Sequence, residues 1–178
     1  EDMGGDIPPV PQEPEQAESR RLEVERDVPA TMIVMAFHMG NRLSPDFFVG
    51  DMTSDLLAGG DSARLYERLI KRKRLFATAN AYISGDLDCG TFCFTGQLLP
   101  TTSVEAAEAA IWAEISELQQ GKISKYEIAK VKNKFEANTL FGELNVMNKA
   151  MNLGYYEMIG DLALINREVE IYRSLSAD

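Results

Sequence analysis

The sequence predicts an α+β two-layer sandwich, with helices packed on one face of a mixed or antiparallel sheet. Residues 78–84 and 90–99 both have a period of two and are joined by Gly85-Asp86-Leu87-Asp88, the pattern of a β-hairpin. A third apolar segment, residues 28–39, lies upstream, and helical spacing separates it from the hairpin. Beyond Pro100 the apolar residues recur only at helical spacing. The resulting order, β-α-α-β-β-α-α-α, segregates strands from helices in the manner of a two-layer α+β domain.

Residues 1–27 read as a Pro/Glu-rich linker. Pro8, Pro9, Pro11 and Pro14 fall close together, Glu and Gln dominate the residues after them, and such a composition buries too little apolar surface to fold alone. An opening of this kind without an initiating Met suggests a piece excised from a longer protein, with residues 28–178 as a single domain. In residues 28–39, Ala30, Met32, Val34 and Ala36 alternate with Ile33, Met35 and Phe37. Both faces are apolar, which predicts a central strand covered on two sides. His38, at the end of this buried strand, reads as a hydrogen-bonded structural histidine.

Ser44-Pro45-Asp46 then starts a helix, with Pro45 suited to the first turn. Phe47, Phe48, Met52, Leu56 and Leu57 follow at helical spacing, and Gly59-Gly60 stops it. A second helix is expected over residues 62–73, with Leu65, Leu69 and the stem of Arg68 inward and Tyr66 and Ile70 flanking. Lys71-Arg72-Lys73-Arg74 at its end suits the negative pole of the helix dipole. The other reading of this run is a groove that receives acidic peptide or anions.

After the hairpin, Thr102 and Glu105 form a capping box, and Val104, Ala107, Ile111, Ile115 and Leu118 form a buried stripe that ends at Gly121. Ser124 and Glu127 form a second capping box. Ile128, Val131 and Phe135 come next, then a shifted stripe of Leu140, Leu144, Met147 and Met151. The shift, with Gly142, predicts a bend or two helices, and the Met-rich stripe reads as core filler. The pairs Glu105/Glu108 and Glu114/Glu117 read as solvent-facing. Residues 161–173 make a last helix, and Ser176-Ala177-Asp178 looks like the cap of another.

Bulk properties exclude several function classes. The 178 residues suit one domain. No apolar run approaches the ~20 residues of a membrane span, and no signal segment opens the chain. A soluble protein is expected, with the cytoplasm favoured and the periplasm open for the parent. Twenty-eight acidic against eighteen basic residues leave a net charge of −10, which opposes a nucleic-acid partner. Cys89 and Cys93, four apart on one strand, would sit about 13 Å from each other. That is beyond the ~7 Å limit for a disulfide. Both read as small core side chains.

Catalytic constellations are absent. A catalytic zinc site takes three protein ligands, and the chain holds one histidine. There is no H-E-x-x-H, H-x-x-E-H or G-x-S-x-G. Asp86 and Asp88 are explained by their turn rather than by a cation. The turn Gly59-Gly60-Asp61-Ser62 could present backbone amides to an anion, but it lacks the spacing and Lys of a phosphate loop, and Asp61 would repel phosphate. Helix stop and restart is its first explanation.

The run from about Asp51 to Pro100 resembles the C-terminal, non-metal-binding domain of the insulinase/pitrilysin family of zinc peptidases. The resemblance rests on Gly59-Gly60, Ser62, Arg64-Leu65-Tyr66, Leu69, Leu75, Ser84, Asp88, Gly90 and Phe92. Gly5-Asp6-Ile7-Pro8 and the helix from Ile165-Asn166-Arg167 to Ser176-Ala177-Asp178 extend it over nearly the whole chain. It implies a parent of two similar α+β domains that close like a clamshell, with zinc on an inverted H-x-x-E-H in an upstream domain. This domain would carry neither catalytic nor metal-binding residues. It would form the opposite wall and face peptide with Gly59, Gly60, Asp61 and Ser62. The partners implied are the upstream catalytic domain or a homologous subunit, and a peptide substrate. Active members place an Arg and, seven residues later, a Tyr near the zinc; the corresponding positions here are Ile70 and Ala77. Arg68, Arg72 or Tyr82 could replace them only with a change of register. The alternative implied is a catalytically silent relative that serves as scaffold or partner subunit, like the respiratory-complex core proteins, or the processing-peptidase subunit whose Gly-rich loop contacts precursors.

Overall fold

The computed structural model describes residue 14 and residues 16–176. The Gly5-Asp6-Ile7-Pro8 stretch, Pro9 and Pro11, and the Ala177-Asp178 end of the expected cap lie outside them. Three strands, β1 (Met32–Met39), β2 (Phe76–Gly85) and β3 (Gly90–Leu98), form an antiparallel sheet in the order β1-β3-β2. Its inward face carries Ile33, Met35 and Phe37 of β1 opposite Gly96, Phe94 and Phe92 of β3. Gly96 is required there: a Cβ on it would lie 2.6 Å from the Phe76 ring, which crosses it from β2.

The helices are α1 (Pro45–Ala58), a π-helix (Leu65–Arg72), α2 (Val104–Gln119), α3 (Lys125–Glu143), α4 (Val146–Met158) and α5 (Leu164–Ser174). Two cores result. The sheet-side core joins Leu57, Leu65, Leu69, Phe76, Phe94 and Ile111; the helical core joins Phe48, Met52, Leu56, Val131, Tyr156 and Tyr172. α1 serves both, giving Leu57 to the first and Phe48, Met52 and Leu56 to the second. Ser124 and Glu127 form the expected capping box of α3. The expected break after Gly142 separates α3 from α4, whose cap is Asn145, accepting from the Met147 amide at 2.9 Å.

Several expectations are corrected. β1 is an edge strand rather than a central one, and its outward residues Met32, Val34 and His38 are exposed. Alternation within a strand reports its own two faces and carries no count of its neighbours. His38 is therefore not a buried, hydrogen-bonded histidine. Cys89 lies in the hairpin turn rather than on a strand, and both cysteines are free. The cap of α2 is Ser103 rather than Thr102, its side chain accepting from the Ala106 amide. The helix after Gly59-Gly60 is a π-helix, its end marked by Lys73 N–H donating to the Arg68 carbonyl five residues back. Glu114 is buried rather than solvent-facing, because Arg68 reaches it at 2.7 Å. The Met-rich stripe is not core filler: Leu140, Leu144, Met147 and Met151 all stand in solvent.

Candidate functional site

The turn between α1 and the π-helix is built from its glycines. Gly59 caps α1, its N–H donating to the Asp55 carbonyl at 2.7 Å. A Cβ at this position would meet that carbonyl oxygen at 2.3 Å. Gly60 has φ +114°, a conformation that L side chains rarely adopt. Gly60, Asp61 and Ser62 are exposed. α3 braces the turn: Lys130 Nζ donates to Ser62 O at 2.9 Å and to Ser62 Oγ at 3.2 Å, and Lys134 Nζ donates to Asp55 Oδ1 at 2.8 Å. The turn is thus a fixed, exposed backbone loop flanked by lysine ammonium groups. It presents polar groups to solvent, and it brings no nucleophile against a base.

Immediately after it, Arg64 is 4% exposed and donates to both Glu127 oxygens, at 2.6 and 3.1 Å, and to the Lys122 carbonyl. The same Glu127 accepts from Ser124 N–H at 2.9 Å. The Arg64 guanidinium, with further donors from Ser124, holds the Glu127 carboxyl down at about 2. Within the resembling motif Arg64 is therefore a brace between the π-helix and the start of α3. Arg68 is occupied in the same way, donating to Glu114 at 2.7 Å and to Glu117 at 2.5 Å.

The positions that correspond to a substrate-binding Arg and Tyr hold Ile70, packed against the sheet-side core, and exposed Ala77. Arg72 is exposed in the last turn of the π-helix, and Tyr82 lies exposed on the outer face of β2. These side chains are on separate elements and form no pair. Lys71 is tied to Glu67 at 2.8 Å and lies over the Tyr66 ring, and Arg74 takes φ +52° as the helix ends. Asp86 meets the fold through its backbone, its carbonyl accepting from Arg42 N–H at 2.9 Å. Among the described residues no group of three or more His, Cys, Asp or Glu could hold a metal ion. The residues present here therefore do not fit a zinc site.

Two features escape sequence reasoning. One is a groove of about 2590 Å³ between the chain leading into β1 and the outer side of that strand, lined by Arg20, Leu22, Val24, Met32, Val34 and His38 among others. The only local signal for it was the alternation in β1. The other is a buried polar knot around Arg42, which has no signal in spacing because its partners are more than a hundred residues away. Arg42 donates to Tyr155 Oη at 3.1 Å and to Glu168 Oε1 at 2.5 Å, with its guanidinium 4.3 Å from the Phe47 ring centre. Burial acts to lower the Arg42 pKa, but Glu168 leaves it above its ordinary value. Burial and then Glu168, which accepts from the hydroxyl, push the Tyr156 phenol up. Beside the knot, Tyr172 donates to Asp51 at 2.5 Å, and burial raises the Asp51 carboxyl. These groups tie α1, α4 and α5 together, with Arg42 Nη1 left buried without an acceptor.

The profile of the family described as the Peptidase M16 inactive domain matches residues 2–135. No curated protein matches the chain. Among solved structures, a protease from Helicobacter pylori superposes with a TM-score of 0.82 at 23% identity, covering 86% of this chain and 38% of that one. The inactive peptidase domain of a proposed zinc protease from Bordetella parapertussis gives 0.75 at 24% identity, covering 86% and 82%. A chain of complex III2 from Candida albicans gives 0.64 at 13% identity, covering 86% and 39%. The chain thus spans well under half the length of the H. pylori protease it matches. At these identities the superpositions establish the α+β fold.

Proposed function

The chain belongs to the Peptidase M16 inactive domain family, and from that premise we propose that it is the non-catalytic, substrate-facing wall of a zinc endopeptidase. The zinc belongs to another part of the parent protein. Gly59, Gly60, Asp61 and Ser62 face the peptide from this wall. The observation that carries the reading is the braced turn itself, which keeps an exposed backbone loop in one conformation through Lys130 and Lys134. Fixed backbone donors and acceptors suit an extended peptide, whose own backbone offers the complementary groups. One experiment tests this: purify the parent with its upstream residues and measure its zinc content and peptide cleavage, with and without Ser62→Trp. One zinc per chain, cleavage, and a raised KM in the variant at unchanged zinc content are expected. A parent with neither zinc nor cleavage overturns the reading. The replacement of the family Arg and Tyr by Ile70 and Ala77 favours a second reading, a silent scaffold or partner subunit, and that outcome would leave it standing.

A further inference from the structure

The free edge of β1 borders the groove. Leu98 N–H donates to the Thr31 carbonyl, one position beyond the β1–β3 ladder and in the same register. In an antiparallel pair such bonded pairs alternate, so Ile33, Met35, Phe37 and Met39 turn their backbone groups toward β3. Met32, Val34, Ala36 and His38 turn theirs the other way, and no hydrogen bond reaches them there among the described residues. Across the groove of about 2590 Å³, residues 19–26 run extended, and their backbone likewise belongs to no ladder. Arg21 pins that stretch to α2 through Glu108 at 2.7 Å. α2 also supplies a floor, because Val104, Glu108 and Trp112, spaced four apart on one helix face, line the groove. Trp112 meets Phe37 edge-on at 5.6 Å and stays 42% exposed. The helical layer therefore reaches past the edge of the three-stranded sheet it covers.

We propose that the groove holds one further strand of the same domain, supplied by the parent polypeptide outside these 178 residues and lying between β1 and residues 19–26. A strand to match the eight residues of β1 is ~26 Å long. At ~4.8 Å between strands and ~10 Å between layers it takes up ~1,300 Å³, and the groove has room for it. Such a strand pairs with Met32, Val34, Ala36 and His38 on one side and with residues 19–26 on the other, which satisfies both backbones at once. Its inward side chains extend the row of Ile33, Met35 and Phe37 over Val104 and Trp112, so β-branched or aromatic residues suit its alternate positions. The walls carry six acidic residues against three basic ones, and a neutral or basic strand complements them. Leu22 and Val24 on one wall, and Met32 and Val34 on the other, are each more than half exposed. An apolar edge left open between the visits of a separate peptide invites pairing with other chains, whereas a strand of the same polypeptide covers it at all times. A second copy fits less well, because residues 19–26 already form the far wall. The proposal rests on the longer parent of the reading above, but on neither its zinc nor its cleavage.

Amide hydrogen exchange, measured on the purified 178-residue chain and on the parent, tests it. In the chain alone, Ile33, Met35 and Phe37 are expected to be protected by β3, while Val34, Ala36 and His38 exchange rapidly. In the parent the second set slows at least about a hundredfold. Ala36→Pro removes one outward donor and spares the ladder to β3, as an edge position allows. It leaves exchange in the chain alone as it was and returns Val34 and His38 of the parent to rapid exchange. A synthetic peptide of alternating valine and lysine leaves exchange in the parent unchanged, because the groove is already filled. Rapid exchange at Val34, Ala36 and His38 in the parent overturns the proposal. So does a parent in which the peptide slows those amides, which assigns the groove to a separate polypeptide. A chain that is dimeric on its own with the same amides protected assigns the groove to a second copy and equally overturns it. A parent that binds no zinc and cleaves nothing, yet protects these amides, would sink the peptidase reading and keep this one.

Discussion

The π-helix end of the helical layer and the α3–α4 end invert each other's chemistry. Where the π-helix meets α2 and α3, each of two ion pairs buries one charged side chain: Arg64 against half-buried Glu127, and Glu114 against half-buried Arg68. Where α3 passes into α4, methionines and leucines stand in solvent. Each choice is costly in isolation. A buried charge is tolerated only when paired and hydrogen-bonded, and an exposed apolar patch is tolerated when something else covers it. In the first region each buried charge has an ion-pair partner within the chain, although Arg64 Nη1 is buried without an acceptor; in the second the apolar side chains have no cover among the described residues. Side-chain polarity alone therefore does not say which end is the interior.

The largest test of this contrast removes the same side chain at each end. Leu69 is fully buried in the sheet-side core and Leu144 is 79% exposed. Leu69→Ala is expected to destabilise by about 2–5 kcal/mol, from lost burial and the cavity left behind. Leu144→Ala in dilute, monomeric protein is expected to stay within about 0.5 kcal/mol of wild type. Urea unfolding at low micromolar concentration checks both. A similar loss at the two sites would mean that Leu144 already has a cover within the chain.

A smaller effect sharpens the charged side of the comparison. Arg64, and then its Ser124 donors, hold Glu127 at about 2, below its ordinary 4.5. A carboxyl depressed on folding contributes stability that is fully present above about 4.5 and lost as the pH falls through about 2. Glu127→Gln is expected to cost about 2 kcal/mol near neutrality, the worth of hydrogen bonds to a charged group. The difference between variant and wild type should shrink as acid is added across that window. Thermal melts from neutral pH down to the acid limit measure it, and a difference independent of pH would assign the loss to packing instead.

The contrast also explains what could be read in advance. The fold class, the hairpin, α1 and the Ser124–Glu127 box were legible because each is written in local spacing or in a capping pattern. The edge position of β1, the exposure of His38 and the burial of Glu114 were not, because each depends on which distant element arrives. Leu140, Leu144, Met147 and Met151 show the limit most clearly. Their period announces an amphipathic face, and periodicity is the same whether that face meets the chain's own core or another molecule. The site was legible as a glycine turn. Its bracing by Lys130 and Lys134, nearly seventy or more residues away in sequence, was not.

The turn that links α1 to the π-helix lies where α1 passes out of both cores, and it supplies the smallest effect. Gly60 adopts φ +114°, and an added Cβ would meet nothing within 4 Å. The cost of Gly60→Ala is therefore confined to the backbone, about 1–2 kcal/mol for an L residue forced to positive φ. Gly59 differs in mechanism, because a Cβ there would press on the Asp55 carbonyl at 2.3 Å and must displace the end of α1. The two variants separate strain from collision. With Gly60→Ala the Leu57 and Leu65 environments on either side should stay native, visible as unchanged methyl chemical shifts beside a lowered melting temperature. With Gly59→Ala those shifts should move. If Gly60→Ala instead perturbs both leucines, the turn is part of the packing between the two cores and not only the hinge that joins them.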